Sequence, residues 1–558
     1  MKAQKTLAEL HETNLKLAES DRHLAYTTYP DLFFPYLPRP CVVRILMVTD
    51  NGGDFSTTAD FGLGELLEVL SVAPGPYVSF AVTKANRRSD PTADLQNFVF
   101  GSTVTTENFD QIWLFGLERS GNFISDQELR VLSQFMNEGG GVFATGDHED
   151  LGIDLCGKVP RVRNMRKWYF DHSPDRPTPY PIPAGEPLAP PVDGPDRHDT
   201  LRVGSDPNYQ FDDQSDAVPQ TITPRYYHHR SSRYTRIRYP HPVLCGPEGP
   251  IKVLPDHPHE GECYVPDDLT LELTFDGYHF AEYPLDSSGN RRSPEVIAWA
   301  TILGGRQAPL DVKGPVNPKS FGVIGAYDGH KANVGRVVVD STWHHFFNIN
   351  LKGTPGGTTP EKRGGFKAST DPTAQAAYRD IKAYFRNIAV WLAPPARRTC
   401  MRNKLLWAAR WDSQVVIEFP PGVSPKELSY AKLRSLGEAA RDVLGRIATR
   451  CQGIEFVIDI LPELPEQVSP WPPPFHVDDF NLLDPDEVIN VVLGSVLVGI
   501  GNRFPMQVTE DKKAVDEVLP QILADSTRVA LTRVKAELAS LLDRGRAKVQ
   551  VLSQMLGE

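Results

Sequence analysis

VVRILMV (42–48) is an unbroken apolar and largely β-branched run, the pattern of a strand covered on both faces. Thr49-Asp50-Asn51-Gly52-Gly53 follows at once and ends it with turn-forming residues, and FGLGELLEVL (61–70) then reads as a helix. YVSFAVT (77–83), QIWLFG (111–116) and VFAT (142–145) repeat the strand signal. Between the last two, Ser125-Asp126-Gln127-Glu128 spells a capping box that opens a helix to about Asn137. Gly139-Gly140-Gly141 stops that helix. Strands alternating with helices of this length predict βαβ units and a parallel sheet.

Beyond residue 155 the pattern breaks. Across 156–318 prolines reach about one residue in seven, a density that excludes long helices and central strands. The same stretch holds eight of the fifteen histidines and many aromatics, among them Trp168, Tyr169, Tyr226, Tyr227, Tyr239 and Tyr264. Disordered segments are poor in aromatics, so an ordered, loop-rich insertion is expected. Within it LTLELTFDGYHF (269–280) reads as a strand and PEVIAWATI (294–302) as a strand or short helix. FGVIGAY (321–327) and GRVVVDS (335–341) resume the βα pattern, and a helix over about 373–392 closes it. The rest reads as a separate module. QVVIEF (414–419) and IEFVIDIL (454–461) are its expected strands, and a helix starts at Ser424-Pro425-Lys426-Glu427. After Glu510 comes a long charged helical segment interrupted at Pro520. The expected organisation is an N-terminal helical arm (1–40), an α/β domain (41–155 and 319–395), its insertion (156–318) and a C-terminal α+β to helical module (396–558).

Composition narrows the function. With 558 residues the chain is long enough for about three domains. Lys and Arg number 59 against 71 Asp and Glu, a net charge of −12 that argues against a nucleic-acid partner. The longest apolar run, Val488 to Gly501, is shorter than the about 20 residues a membrane span needs and predicts a buried helix. No signal-peptide pattern opens the sequence. The six cysteines lie far apart with no CxxC pair, which favours a reducing cytosol.

In a parallel α/β sheet ligands bind beyond the carboxyl ends of the strands, so the residues just after each strand are the informative ones. Strand one delivers Asp50. The VFAT strand delivers Gly146-Asp147-His148-Glu149, at the kind of glycine turn where α/β enzymes hold a nucleophile or a metal ligand. The last strand delivers Asp340, Ser341, His344 and His345, with strand alternation pointing one histidine inward and one outward. The insertion adds Asp256-His257-Pro258-His259-Glu260, where His-x-His in extended backbone puts both rings on one face. Imidazoles with adjacent carboxylates suit zinc, iron or manganese. Each cluster also has a plain structural reading, as a solvated loop, a turn or an acidic helix start. The basic run Arg161, Arg163, Arg166 and Lys167 is expected to be a solvated face, with a substrate carboxylate or phosphate as its functional alternative.

VRILMVTDNGGDF (43–55), FDQIWLFG (109–116), QELRVLSQFMNEGGGVFATGDHEDLG (127–152) and GRVVVDSTWHHF (335–346) resemble the class I glutamine amidotransferase-like fold. The nearest subgroup is the trehalose-utilisation-protein type, where a GGG-led strand also ends in a His-containing turn and a late GRV strand ends in His. The resemblance spans 42–155 and 319–395 and implies a flavodoxin/amidotransferase-like parallel sheet. It departs at the nucleophile. Thr145-Gly146-Asp147-His148 stands where the family carries Gly-x-Cys-x-Gly, so glutamine hydrolysis through a thioester is not expected. The resulting expectation is a cytoplasmic hydrolase acting on a small-molecule, sugar or peptide-like substrate. Asp50, Asp147, His148 and His345 would be catalytic, and His148, His257, His259, Glu260 and His345 would hold a divalent metal. The alternative is a catalytically silent binding or scaffold protein that forms homo-oligomers through its C-terminal helices.

Overall fold

A nine-stranded mixed sheet forms the centre of the computed structural model. The model describes residues 40–146, 151–168, 220–230, 236–254, 262–302, 319–353, 365–419, 422–448, 453, 455–457, 485–504 and 512–557. Its strands are β1 (Cys41–Thr49), β2 (Val78–Asn86), β3 (Leu95–Gln96), β4 (Gln111–Phe115), β5 (Gly141–Thr145), β6 (Thr223–Pro224), β7 (Glu295–Ile302), β8 (Lys319–Tyr327) and β9 (Val337–Asp340). In space they run β3-β2-β1-β4-β5-β9-β8-β7-β6. The first six are parallel and the last three antiparallel. The apolar runs at 42–48, 111–116 and 142–145 are therefore the buried centre of the sheet, as their composition requires.

Helices cover both faces. On one lie α1 (Gly64–Ser71) and, later in the chain, the 20-residue Pro372–Trp391 helix; on the other lies α2 (Asp126–Asn137). Both bonds of the capping box form at α2, with Glu128 N donating to Ser125 Oγ and Ser125 N donating to the Glu128 carboxylate. We label Pro372–Trp391 α3, and the C-terminal helices α4 (Pro395–Trp411), α5 (Tyr430–Ile447), α6 (Pro485–Arg503) and α7 (Lys512–Leu556). These four pack on one another and share a continuous core with the sheet. Val488 to Ile500 of α6 is buried among them, and among the described residues no helix is long and apolar enough to cross a membrane.

Five expectations are corrected. Residues 321–327 do not resume a parallel pattern: β8 pairs antiparallel with both neighbours, because the connection 328–336 is too short for a parallel crossover. QVVIEF is helical over Ser413–Glu418, capped by the Asp412 carboxylate on Gln414 N, and the described residues within 453–457 are helical too. Short apolar runs carry no period that separates strand from helix. Helix α7 runs through Pro520 without interruption. The Pro-rich insertion, expected to hold no central strand, contributes β6 and β7 to the main sheet, with β7 paired on both sides. Finally, Cys41 and Cys400 form a disulfide tying β1 to α4, and Cys245 is disulfide-bonded as well. The cysteine argument for a reducing compartment falls away.

Candidate active site at the strand tips

Thr49 pairs with Phe115, Phe115 with Thr145, and Thr145 with Asp340, so β1, β4, β5 and β9 end on one line. The run VVVD alternates faces along β9: Val337 and Val339 join the α2-side core and Val338 the α3-side core. Asp340 ends it wholly buried, and its Oδ2 accepts from Tyr384 Oη of α3 at 2.5 Å and from His345 Nε2 at 3.0 Å. Thr342 N donates to Oδ1 at 3.3 Å. Burial first, and the Asp340 carboxylate second, hold the Tyr384 hydroxyl well above the usual tyrosine range, so it remains a donor. With Nε2 turned to Asp340, His345 keeps Nδ1 buried and without a hydrogen-bond partner among the described residues.

The strand does not continue through 343–346. Thr342 Oγ1 accepts from His344 N and Phe346 N donates to Trp343 O, which winds His344–Phe346 into a 3-10 turn. Both histidines are therefore buried, where strand alternation would have exposed one. His344 stacks on Trp343 at 4.4 Å and faces Asn350 through Nδ1.

Asp50 occupies a different place. Its carboxylate accepts from Leu117 N at 2.8 Å and Glu118 N at 3.0 Å, joining the tips of β1 and β4 where the strand order reverses. Burial raises its pKa to about 7 against the opposing effect of those two N–H groups, with Glu118 and Asp154 adding to the rise. Three strand spacings, about 14 Å, separate the β1 and β9 tips. Asp50 and His345 thus follow strands that are not neighbours in the sheet.

The shifted Asp50 carboxyl has a measurable consequence. It binds a proton in the folded chain that the unfolded chain has already lost, so its contribution to stability falls as pH rises from about 4 to 7. The ionised form then costs about 4 kcal/mol, while Asp50→Asn orphans one N–H at about 1–3 kcal/mol. Asp50→Asn is expected to stabilise the protein by about 1–3 kcal/mol at pH 8 and to destabilise it at pH 5. Urea unfolding at the two pH values measures this change of sign.

The start of the insertion and its stretch at Glu262–Cys263 lie across the β5 and β9 tips. A side chain on Gly146 would meet the Trp168 ring at 2.6 Å, so glycine is what lets Trp168 pack there. Arg166 donates to Ser341 O through Nη2 at 2.8 Å and stacks on Trp168 at 4.2 Å. Lys167 N donates to Glu262 O, Cys263 N to Gly322 O, and Cys263 Sγ to Val339 O. The basic run is thus buried rather than solvated. Its first part is held by Glu282, also wholly buried, whose carboxylate accepts from Arg161 N, Arg163 Nε and Nη2, and Asn164 Nδ2.

Neither free thiol is activated. Burial pushes Cys156 and Cys263 well above the ordinary thiol range, the reverse of a nucleophilic cysteine. Asp147, His148, His257, His259 and Glu260 lie outside the described residues. Among the described residues no group of three or more His, Cys, Asp and Glu side chains could hold a metal. Tyr384 and Glu282 gave no functional sign in the sequence. Tyr384 sits at helical spacing among Ile381, Phe385 and Ile388 and reads as core. No protein-family model and no curated protein sequence matches the chain.

Proposed function

We propose that the chain is a hydrolase with an amidotransferase-like α/β fold and a reactive centre at the tips of β5 and β9. The observation that carries this is the Asp340–His345 pair, a buried carboxylate on one imidazole nitrogen and a second nitrogen without a partner among the described residues. A histidine so oriented is a general base: Nδ1 takes a proton from water, and Asp340 stabilises the imidazolium that forms. Tyr384 holds Asp340 from the other side. Gly146 and Glu262–Cys263, which flank the segments carrying His148 and His257, His259 and Glu260, both pack near the β9 tip, and this supports their recruitment to the same site. A carboxylate-backed imidazole also suits a metal ligand. Zinc, iron or manganese held by His345 with His148, His257, His259 and Glu260 would supply a water of lowered pKa. Fold-level support comes from strand order. Without the two-residue edge strand β3, the parallel strands run β2-β1-β4-β5-β9, the flavodoxin-like arrangement. The test is turnover of carboxyl-ester, amide, glycoside and phosphate-ester substrates by purified protein, with and without chelator. Chelator-sensitive hydrolysis supports the metal form, chelator-resistant hydrolysis the metal-free form, and no turnover in any class counts against both.

A second reading is favoured by α7, which carries Leu538, Leu542, Gly545, Val549, Leu552 and Leu556 at alternating four- and three-residue steps. Leu538 packs on the core, whereas Leu542, Val549, Leu552 and Leu556 are 48–72% exposed. Such a seam suits a second copy of the chain, giving a scaffold built on an α/β domain. Light scattering should then show a dimer that Leu552→Glu converts to monomer; a wild-type monomer at micromolar concentration counts against this reading.

A further inference from the structure

At the edge of the sheet opposite the strand tips, a cavity of about 530 Å³ lies between α3, the end of α5 and the turn before β2. Arg379, Lys382 and Arg386 line it from α3 and Arg446 from α5. The spacing 379, 382, 386 puts three cations on one face of α3, an arrangement that like-charge repulsion disfavours unless an anion offsets it. No Asp or Glu is among the described residues lining the cavity, in a chain whose net charge is −12. Glu248 pairs with Arg379 and Asp412 with Arg446, each at 3.3 Å, and Arg386 donates to Val69 O. Lys382 lies over the Tyr378 ring at 4.7 Å and has no ion-pair partner among the described residues. Partial burial, together with the charges of Arg386, Lys367 and Arg379, lowers its pKa. Tyr77 and Val390 supply an apolar wall.

We propose that this cavity binds a small phosphorylated molecule, its phosphate held by Arg379, Lys382, Arg386 and Arg446 and its organic part against Tyr77 and Val390. Guanidinium forks match phosphate oxygens, and a cavity of this size fits a small organic molecule rather than a bare ion. The site is separate from the strand tips and joins the α/β domain to the C-terminal helices, so occupancy ties the two together and stabilises the folded chain.

Calorimetric titration of the full-length protein with glucose 6-phosphate, glucose and inorganic sulfate tests it. Saturable binding of glucose 6-phosphate at about millimolar concentration or tighter is expected, with none for glucose and weaker binding for sulfate. Lys382→Ala should weaken binding roughly tenfold and Lys382→Glu should remove it, both with unchanged circular dichroism. Arg446→Ala, at a more exposed position, gives an independent loss. The proposal is overturned by sulfate binding as tightly as the sugar phosphate, by no saturable binding, or by binding that Lys382→Glu and Arg446→Ala leave intact.

Discussion

Glu282→Ala should cost about 3–5 kcal/mol and loosen the insertion from the α/β domain, because it removes the carboxylate paired with the buried Arg163 guanidinium. Arg161 and Arg163 are 0% and 4% exposed, so water cannot replace the lost carboxylate. The Arg163 Nη2–Glu282 contact is 2.6 Å, and Arg161 Nη2 also reaches Asn137 Oδ1 of α2 at 2.6 Å. Arg161 sits at φ 68°, a left-handed conformation that a non-glycine residue adopts only when its surroundings impose it. Two bonds to Glu282 impose it here: Arg161 N to the carboxylate and Arg161 Nε to the backbone carbonyl, each 2.7 Å. Urea unfolding gives the loss directly, and limited proteolysis should find new cleavage within 156–318. Glu282→Gln, which keeps one acceptor oxygen, should fall between wild type and alanine.

The second large effect is expected where intrinsic helix propensity predicts the opposite sign. In the middle of a helix, Gly→Ala stabilises by about 1 kcal/mol. At Gly494 of α6, however, an added Cβ would lie 2.0 Å from the carbonyl oxygen of Leu433 in α5. At Gly437 of α5 it would lie 1.8 Å from the carbonyl oxygen of Asn490 in α6. Both obstacles are backbone and cannot rotate away, so the two helices must separate. Gly494→Ala is therefore expected to destabilise by about 3 kcal/mol, the upper part of the range for overpacking. A melting temperature equal to or above that of wild type would show that α5 and α6 do not cross this closely.

These two sites mark the limit of what the sequence revealed. VVRILMV and the Ser125–Glu128 capping box were legible because each signal is local: an apolar run fits a doubly covered strand, and the cap closes within four residues. The arginine run was misread because the partner that makes it buriable, Glu282, lies more than a hundred residues away. The tip residues were legible one by one from strand ends. Their grouping was not, since strand order and the packing of α3 decide that Asp340, His345 and Tyr384 meet, while Asp50 bonds to the turn after β4. The 3-10 turn at His344–Phe346 depends on Thr342 capping, a competition between side chain and ladder that alternation alone cannot show.

We propose His345, oriented by Asp340, as the general base of a hydrolytic site. Its most direct test is the turnover of His345→Gln on whichever substrate class the wild-type protein hydrolyses, with folding checked by circular dichroism. The expected variant is folded and slowed by roughly a hundred- to ten-thousand-fold, with Asp340→Asn slowed as well. A folded His345→Gln protein that hydrolyses at the wild-type rate would contradict it.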